Sequence, residues 1–143
     1  MVNVTRTFIV DKPVQTVIDY LKDFSHAVDW DPGTQSCARQ DSGPVMVGST
    51  WHNVSKVLGK ETDLTYTLEA LEAGRVTFVG KNDTATSTDD IAVRDTDDGS
   101  EITYHAEIEL HGAAKLGAPV AKIEFERLGS KTEKQLTRAI AAL

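Results

Sequence analysis

The chain has 143 residues, with 15 Lys or Arg against 22 Asp or Glu and a formal net charge of −7. That acidity disfavours extended phosphate-backbone contact, so no nucleic-acid partner is expected. The lone cysteine excludes an intrachain disulfide, and the length suits one domain, residues 1–143, needing neither metal nor disulfide to hold its core.

The first residues, MVNVTRTFIVDKP, show neither a basic leader nor a sustained apolar run. No window approaches the roughly 18 apolar residues of a membrane span, and a reducing, cytoplasmic location is the expectation. Residues 3–10, NVTRTFIV, mix β-branched and aromatic residues with polar alternates, as a half-buried strand does. The period then changes. Pro13 suits a first helical turn, and Val14, Val17, Ile18 and Leu21 recur as one apolar stripe. A second short helix spans about 24–30, with Ser25 as its expected cap and Pro32-Gly33 as its stop.

Strands are predicted near 34–39, 50–58, 61–71, 75–81, 85–95 and 101–112. The later turns are too short for crossovers, which makes the sheet an antiparallel meander. The longer link at 40–49, QDSGPVMVGS, has the length and composition of a mobile flap. Beyond Gly117 and Pro119, Ala121, Phe125, Leu128, Thr132, Leu136, Ala139 and Leu143 recur at helical spacing to the end of the chain.

Alternation separates the two faces of the sheet. Ile102, Tyr104, Ala106, Ile108 and Leu110 share one face, opposite Thr103, His105, Glu107, Glu109 and His111. The same parity points Trp51, Asn53, Ser55 and Val57, then Leu64, Tyr66 and Leu68, then Val76, Phe78 and Gly80, then Ser87, Asp89, Ile91 and Val93 inward. One dry face must be covered, and the terminal helix is the element long enough to cover it. Asn53, Ser55, Ser87 and Asp89 would each cost about 1–3 kcal/mol in a sealed apolar core, so a partly wet hollow between sheet and helix is expected.

The order β-α-α-β-β-β-β-β-β-α, with VDKPVQTVIDYLKDFSHAVDWDPGT leading in, VGSTW, DLTYTLEALEAGRVTF in the middle and GSEITYHAEIEL before the last helix, resembles the START-like helix-grip (SRPBCC) superfamily. The likeness is to its polyketide cyclase/dehydrase and lipid-transport branch. It implies an α+β helix-grip fold: a curved antiparallel sheet of about seven strands around a long C-terminal helix, with two short helices between strands 1 and 2. It further implies a small hydrophobic or amphipathic ligand, such as a lipid, polyketide or aromatic metabolite, held between sheet and helix. Trp30 would then stand at the mouth, near the two short helices. Trp51, Tyr66, Phe78, Tyr104 and Phe125 would be walls, with Asn53, Ser55 and Asp89 orienting a polar end. An enzyme of the cyclase/dehydrase kind would instead move protons through Asp89, His26 or Tyr104. A regulatory partner protein with an incidental cavity is a third alternative.

Each of these residues also has a plainer reading. Trp30 could cap the core, and Asp89 could be a rim carboxylate bonded to Ser or Thr. His52, His105 and His111 fall on the outer face, Cys37 reads as inert, and Arg39 could turn inward on its short strand. Phosphate loops, nucleophile elbows and metal-binding strings do not occur, so no cofactor and no metal is expected. Monomer and homodimer are left open.

Overall fold

The structure, a computed structural model, describes residues 1–143. Strand β1 (Val2–Val10) leads into helix α1 (Val14–Leu21), a 3-10 turn (Phe24–His26) and the short helix α2 (Ala27–Trp30). Strands β2 (Thr34–Arg39), β3 (Thr50–Val57), β4 (Lys60–Glu72), β5 (Arg75–Lys81), β6 (Ala85–Thr96) and β7 (Gly99–Leu110) follow. A second 3-10 segment (Gly112–Gly117) opens α3 (Ala118–Ala141), which has Pro119 in its first turn. The sheet order is β1-β7-β6-β5-β4-β3-β2; β2 to β7 form the antiparallel meander predicted, and β1 closes it by pairing antiparallel with β7.

The sheet curves around α3, and two register shifts help it bend, between Thr34 and Ser36 and between Leu68 and Ala70. Parity holds along most of the inner face: Trp51, Asn53, Leu64, Tyr66, Leu68, Val76, Phe78, Asp89, Ile91, Ile102, Tyr104 and Ala106 are all buried. Val57 departs from it. Expected inside, it is 37% exposed because β3 has run past the end of the core. The three outward histidines pair with neighbours across the strands, His52 with Asp63, His105 with Thr5 and His111 with Thr86.

Helix α3 is buried unevenly. Gly129, Thr132, Leu136 and Ile140 are buried in its second half, whereas Ala118, Ala121, Phe125 and Leu128 in its first half are only partly covered. Gly129 sets the height of the helix over β1, since a Cβ there would lie 2.8 Å from the side chain of Val4. The helix is therefore seated firmly on β1 and α2, and its less covered first half overhangs the β1–β7 side of the sheet.

Three local readings need correction. Asp23, not Ser25, caps the 3-10 turn: its Oδ1 accepts from the Ser25 N–H at 3.0 Å and from Ser25 Oγ at 2.7 Å. The β3–β4 turn is Leu58-Gly59 rather than Gly59-Lys60, with φ of 54° at Leu58 and 78° at Gly59. Two successive positive φ values define a turn that favours Asn-Gly, so Leu58→Asn is expected to raise stability by about 0.5–1 kcal/mol in urea unfolding. The 40–49 link is not a free flap. Arg39 bonds Asp41 Oδ1 at 2.5 Å and the Gly43 and Pro44 carbonyls at 3.0 and 3.2 Å, and its guanidinium lies 5.9 Å from the centre of a Trp51 ring. Arg39→Met should cost about 1–2 kcal/mol and open this link to limited proteolysis; a cleavage pattern like that of the wild type would refute the clasp.

Candidate ligand-binding site

The inner face has a closed end and an open end. At the closed end, under α1 and α2, Phe24, Trp30, Trp51 and Phe78 have no accessible surface. Phe24 is the hub, with ring centroids 4.3 Å from Tyr66, 4.6 Å from Phe78 and 5.8 Å from Trp30. Along β7, exposure rises toward the other end: Ile102 is fully buried, Tyr104 and Ala106 nearly so, and Ile108 and Leu110 only partly. Beside them on β6, Ile91 and Asp89 are buried and Ser87 is partly open. A cleft of about 380 Å³ lies at this open end, between Val2, Ile108 and Leu110 on the sheet and Ala118 at the start of α3, with Met1 and Lys115 on its rim.

Trp30 therefore does not stand at a mouth near the short helices. Its indole meets Phe24 and Tyr104 edge-on and is covered from outside by the packing of α2 against α3. Trp51 is likewise a closed-end residue, anchored by its indole N–H to Asp23 at 3.2 Å. Phe125 is half-covered on the overhanging part of α3.

Two clusters of polar groups lie on the inner face. In one, Ser55 Oγ donates to Asn53 Oδ1 at 2.5 Å, the Asn53 amide to Thr34 at 3.1 Å, and the Thr34 hydroxyl to Asp31 at 2.7 Å. In the other, the Tyr104 hydroxyl donates to Asp89 Oδ1 at 2.7 Å. Burial, then the charge of Asp31, lifts the Asp89 carboxyl to about 7 against the pull of the Tyr104 bond. Burial also raises Asp31 above the usual carboxylate range, and holds Tyr66 and Tyr104 well above the phenol range with the two carboxylates adding to the effect. Near neutral pH, Asp89 can thus take or give a proton while Tyr104 remains a neutral donor.

His26 is not part of this group. Its ring stacks on Tyr20 at 4.5 Å and its Nδ1 is 2.6 Å from the Tyr20 carbonyl. Arg39 is committed to its loop, and burial pushes the Cys37 thiol up to about 11, which fits an unreactive side chain. Asp31 and Thr34 were not foreseen. They follow Trp30 in a stretch that reads as a helix stop, and the local signal was the Asx pattern: Asp31 also accepts from the Gly33 N–H at 3.3 Å.

Residues 1–141 match the family described as polyketide cyclase/dehydrase and lipid transport. The chain belongs to that family. No curated protein matches it. Among solved structures, this family member is similar to TTHA0849 from Thermus thermophilus, with a TM-score of 0.78, 14% identity, and 99% of this chain and 97% of that one covered. It also resembles the ZhuI aromatase/cyclase from Streptomyces sp. R1128, with a TM-score of 0.74, 14% identity and coverage of 98% and 91%. A START superfamily protein from Mycobacterium smegmatis gives 0.71, 14%, and 98% and 94%. At such identities the likeness is one of fold, and it agrees with the helix-grip architecture of this family member.

Proposed function

We propose that the protein binds a small hydrophobic or amphipathic molecule between the sheet and the overhanging first half of α3. The observation that carries this reading is the row from Leu110 and Ile108 through Ser87 to Asp89 and Tyr104. Apolar side chains at the open cleft give way to polar groups farther in, the order in which an amphipathic guest would meet them. Apolar burial would drive binding at roughly 25 cal/mol per Å², and the polar end of the guest would be oriented by Asp89 and Tyr104. The aromatase/cyclase named among the similar structures is consistent with a guest of this kind.

Native mass spectrometry of gently purified protein tests the reading. Extra mass that an organic extraction removes is the expected result. Bare protein that also fails to take up an apolar fluorophore would overturn it and leave a partner-protein role.

The Asp89–Tyr104 pair favours a second reading, acid–base chemistry on the bound molecule of the cyclase/dehydrase kind. Tyr104 would donate to a carbonyl oxygen while Asp89 takes a proton from carbon, a division of labour that suits a carboxyl near 7. Tyr104→Phe separates the two: a loss of turnover with unchanged affinity supports catalysis, and a loss of affinity alone supports carriage.

A further inference from the structure

Asp89, 6% exposed, is the most deeply buried of the Asp, Glu, Lys, Arg and His side chains, and Asp31 is partly covered. The hydrogen-bond partner of Asp89 is a neutral phenol, and Asp89 has no cation beside it. The groups facing it are Tyr104 on β7, Tyr66 on β4 and Asp31 after α2, while β3 and β5 present Asn53, Ser55 and Phe78. From α1 only Val17, Ile18 and Leu21 are buried. On β1 and α3, Arg6 is paired with Glu126 at 3.1 Å and Arg127 with Glu124, and no salt bridge reaches Asp89. A carboxylate enclosed in this way lacks the partner that ordinarily accompanies a buried charge.

We infer that the guest is a protonated amine on an aromatic or alicyclic body that enters from the open cleft, its ammonium paired with Asp89 beside the Tyr104 hydroxyl. This rests on the proposed binding role and narrows its ligand class. A carboxylate this little exposed attracts a cation strongly, because water screens the pair only weakly. Carboxylate-tailed guests such as fatty acids are disfavoured by the same charges. Because the free carboxyl holds a proton over part of the neutral range, taking up an ammonium drives that proton from Asp89 into solvent, and total charge balances.

Three fluorescent probes of one shape decide the matter: a methoxynaphthyl-ethylamine, the matching alcohol and the matching carboxylic acid, titrated calorimetrically into the full-length protein. At about pH 8 the ammonium should bind at least about tenfold tighter than the alcohol, with the carboxylate weakest. Its advantage should shrink toward about pH 5.5 as Asp89 protonates, with proton release visible as a dependence of the heat on the buffer. Asp89→Asn should bring the ammonium's affinity down to that of the alcohol and abolish the proton release. An alcohol or carboxylate that binds as tightly as the ammonium at the higher pH overturns the inference and leaves the binding role standing. Failure of all three probes sinks both.

Discussion

At about pH 8 the Asp89→Asn variant is expected to melt several degrees above the wild-type protein, and at about pH 4 to melt with it. The reason is the sign of the shift at a side chain only 6% exposed. A carboxyl at about 7 in the fold and near 3.8 when unfolded binds its proton more tightly in the native state. Below the lower value both states are protonated and the group contributes nothing. As pH climbs between the two, the unfolded chain ionises first and the fold loses stability; above the upper value the loss is complete. Its full size is on the order of 2–4 kcal/mol, the cost of a charge buried without a cation. Asparagine keeps an oxygen that accepts from Tyr104 and carries no charge, so it removes that cost. The elevated Asp31 is present in both proteins, and its own pH dependence largely cancels in the difference. A melting difference that is flat between the two pH values, or of opposite sign, would falsify the assignment of Asp89 as a strained buried acid.

That a protein should keep such a destabilising side chain bears on what was readable beforehand. The strands, the pairing of β2 to β7 and the inner faces were legible because period-two alternation is a direct consequence of the pleat and the short turns imply a meander, whereas the pairing of β1 with β7, about a hundred residues on, was not. Asp89 and Tyr104 were legible for the same reason, since parity alone puts both on the inner face. What lay outside this reach depended on contacts distant in sequence. Trp30 looked like a doorway residue because it precedes a chain reversal; its burial is fixed by α2 meeting α3, roughly a hundred residues later in the chain. Asp31 looked like punctuation, and its part in the field around Asp89 arises only once β6 is folded across from it. The clasp on the 40–49 link was hidden because two of the bonds that Arg39 makes go to backbone carbonyls, which carry no mark in the sequence.

Phe24→Ala should be the most damaging single truncation in the chain, with a loss of about 3–5 kcal/mol, a large share of the 5–15 kcal/mol that domains of this kind possess. The Phe24 ring has no accessible surface and sits among four others, including Trp51 at 6.3 Å, so the walls of the void cannot close without breaking the aromatic packing around it. Phe125→Ala supplies the contrast. The chemistry is the same, but that ring projects from the overhanging half of α3 and is only half-covered, so about 1 kcal/mol is expected. Chemical denaturation of the two variants therefore reads the shape of the interior without a ligand: a wide gap means solid packing under α1 and α2 and slack space near the start of α3. Equal losses would mean that the open end is filled by side chains, and a guest would then have to displace them. If the gap is wide and Phe125→Ala also loses affinity for an apolar probe, the slack space is where the guest lies.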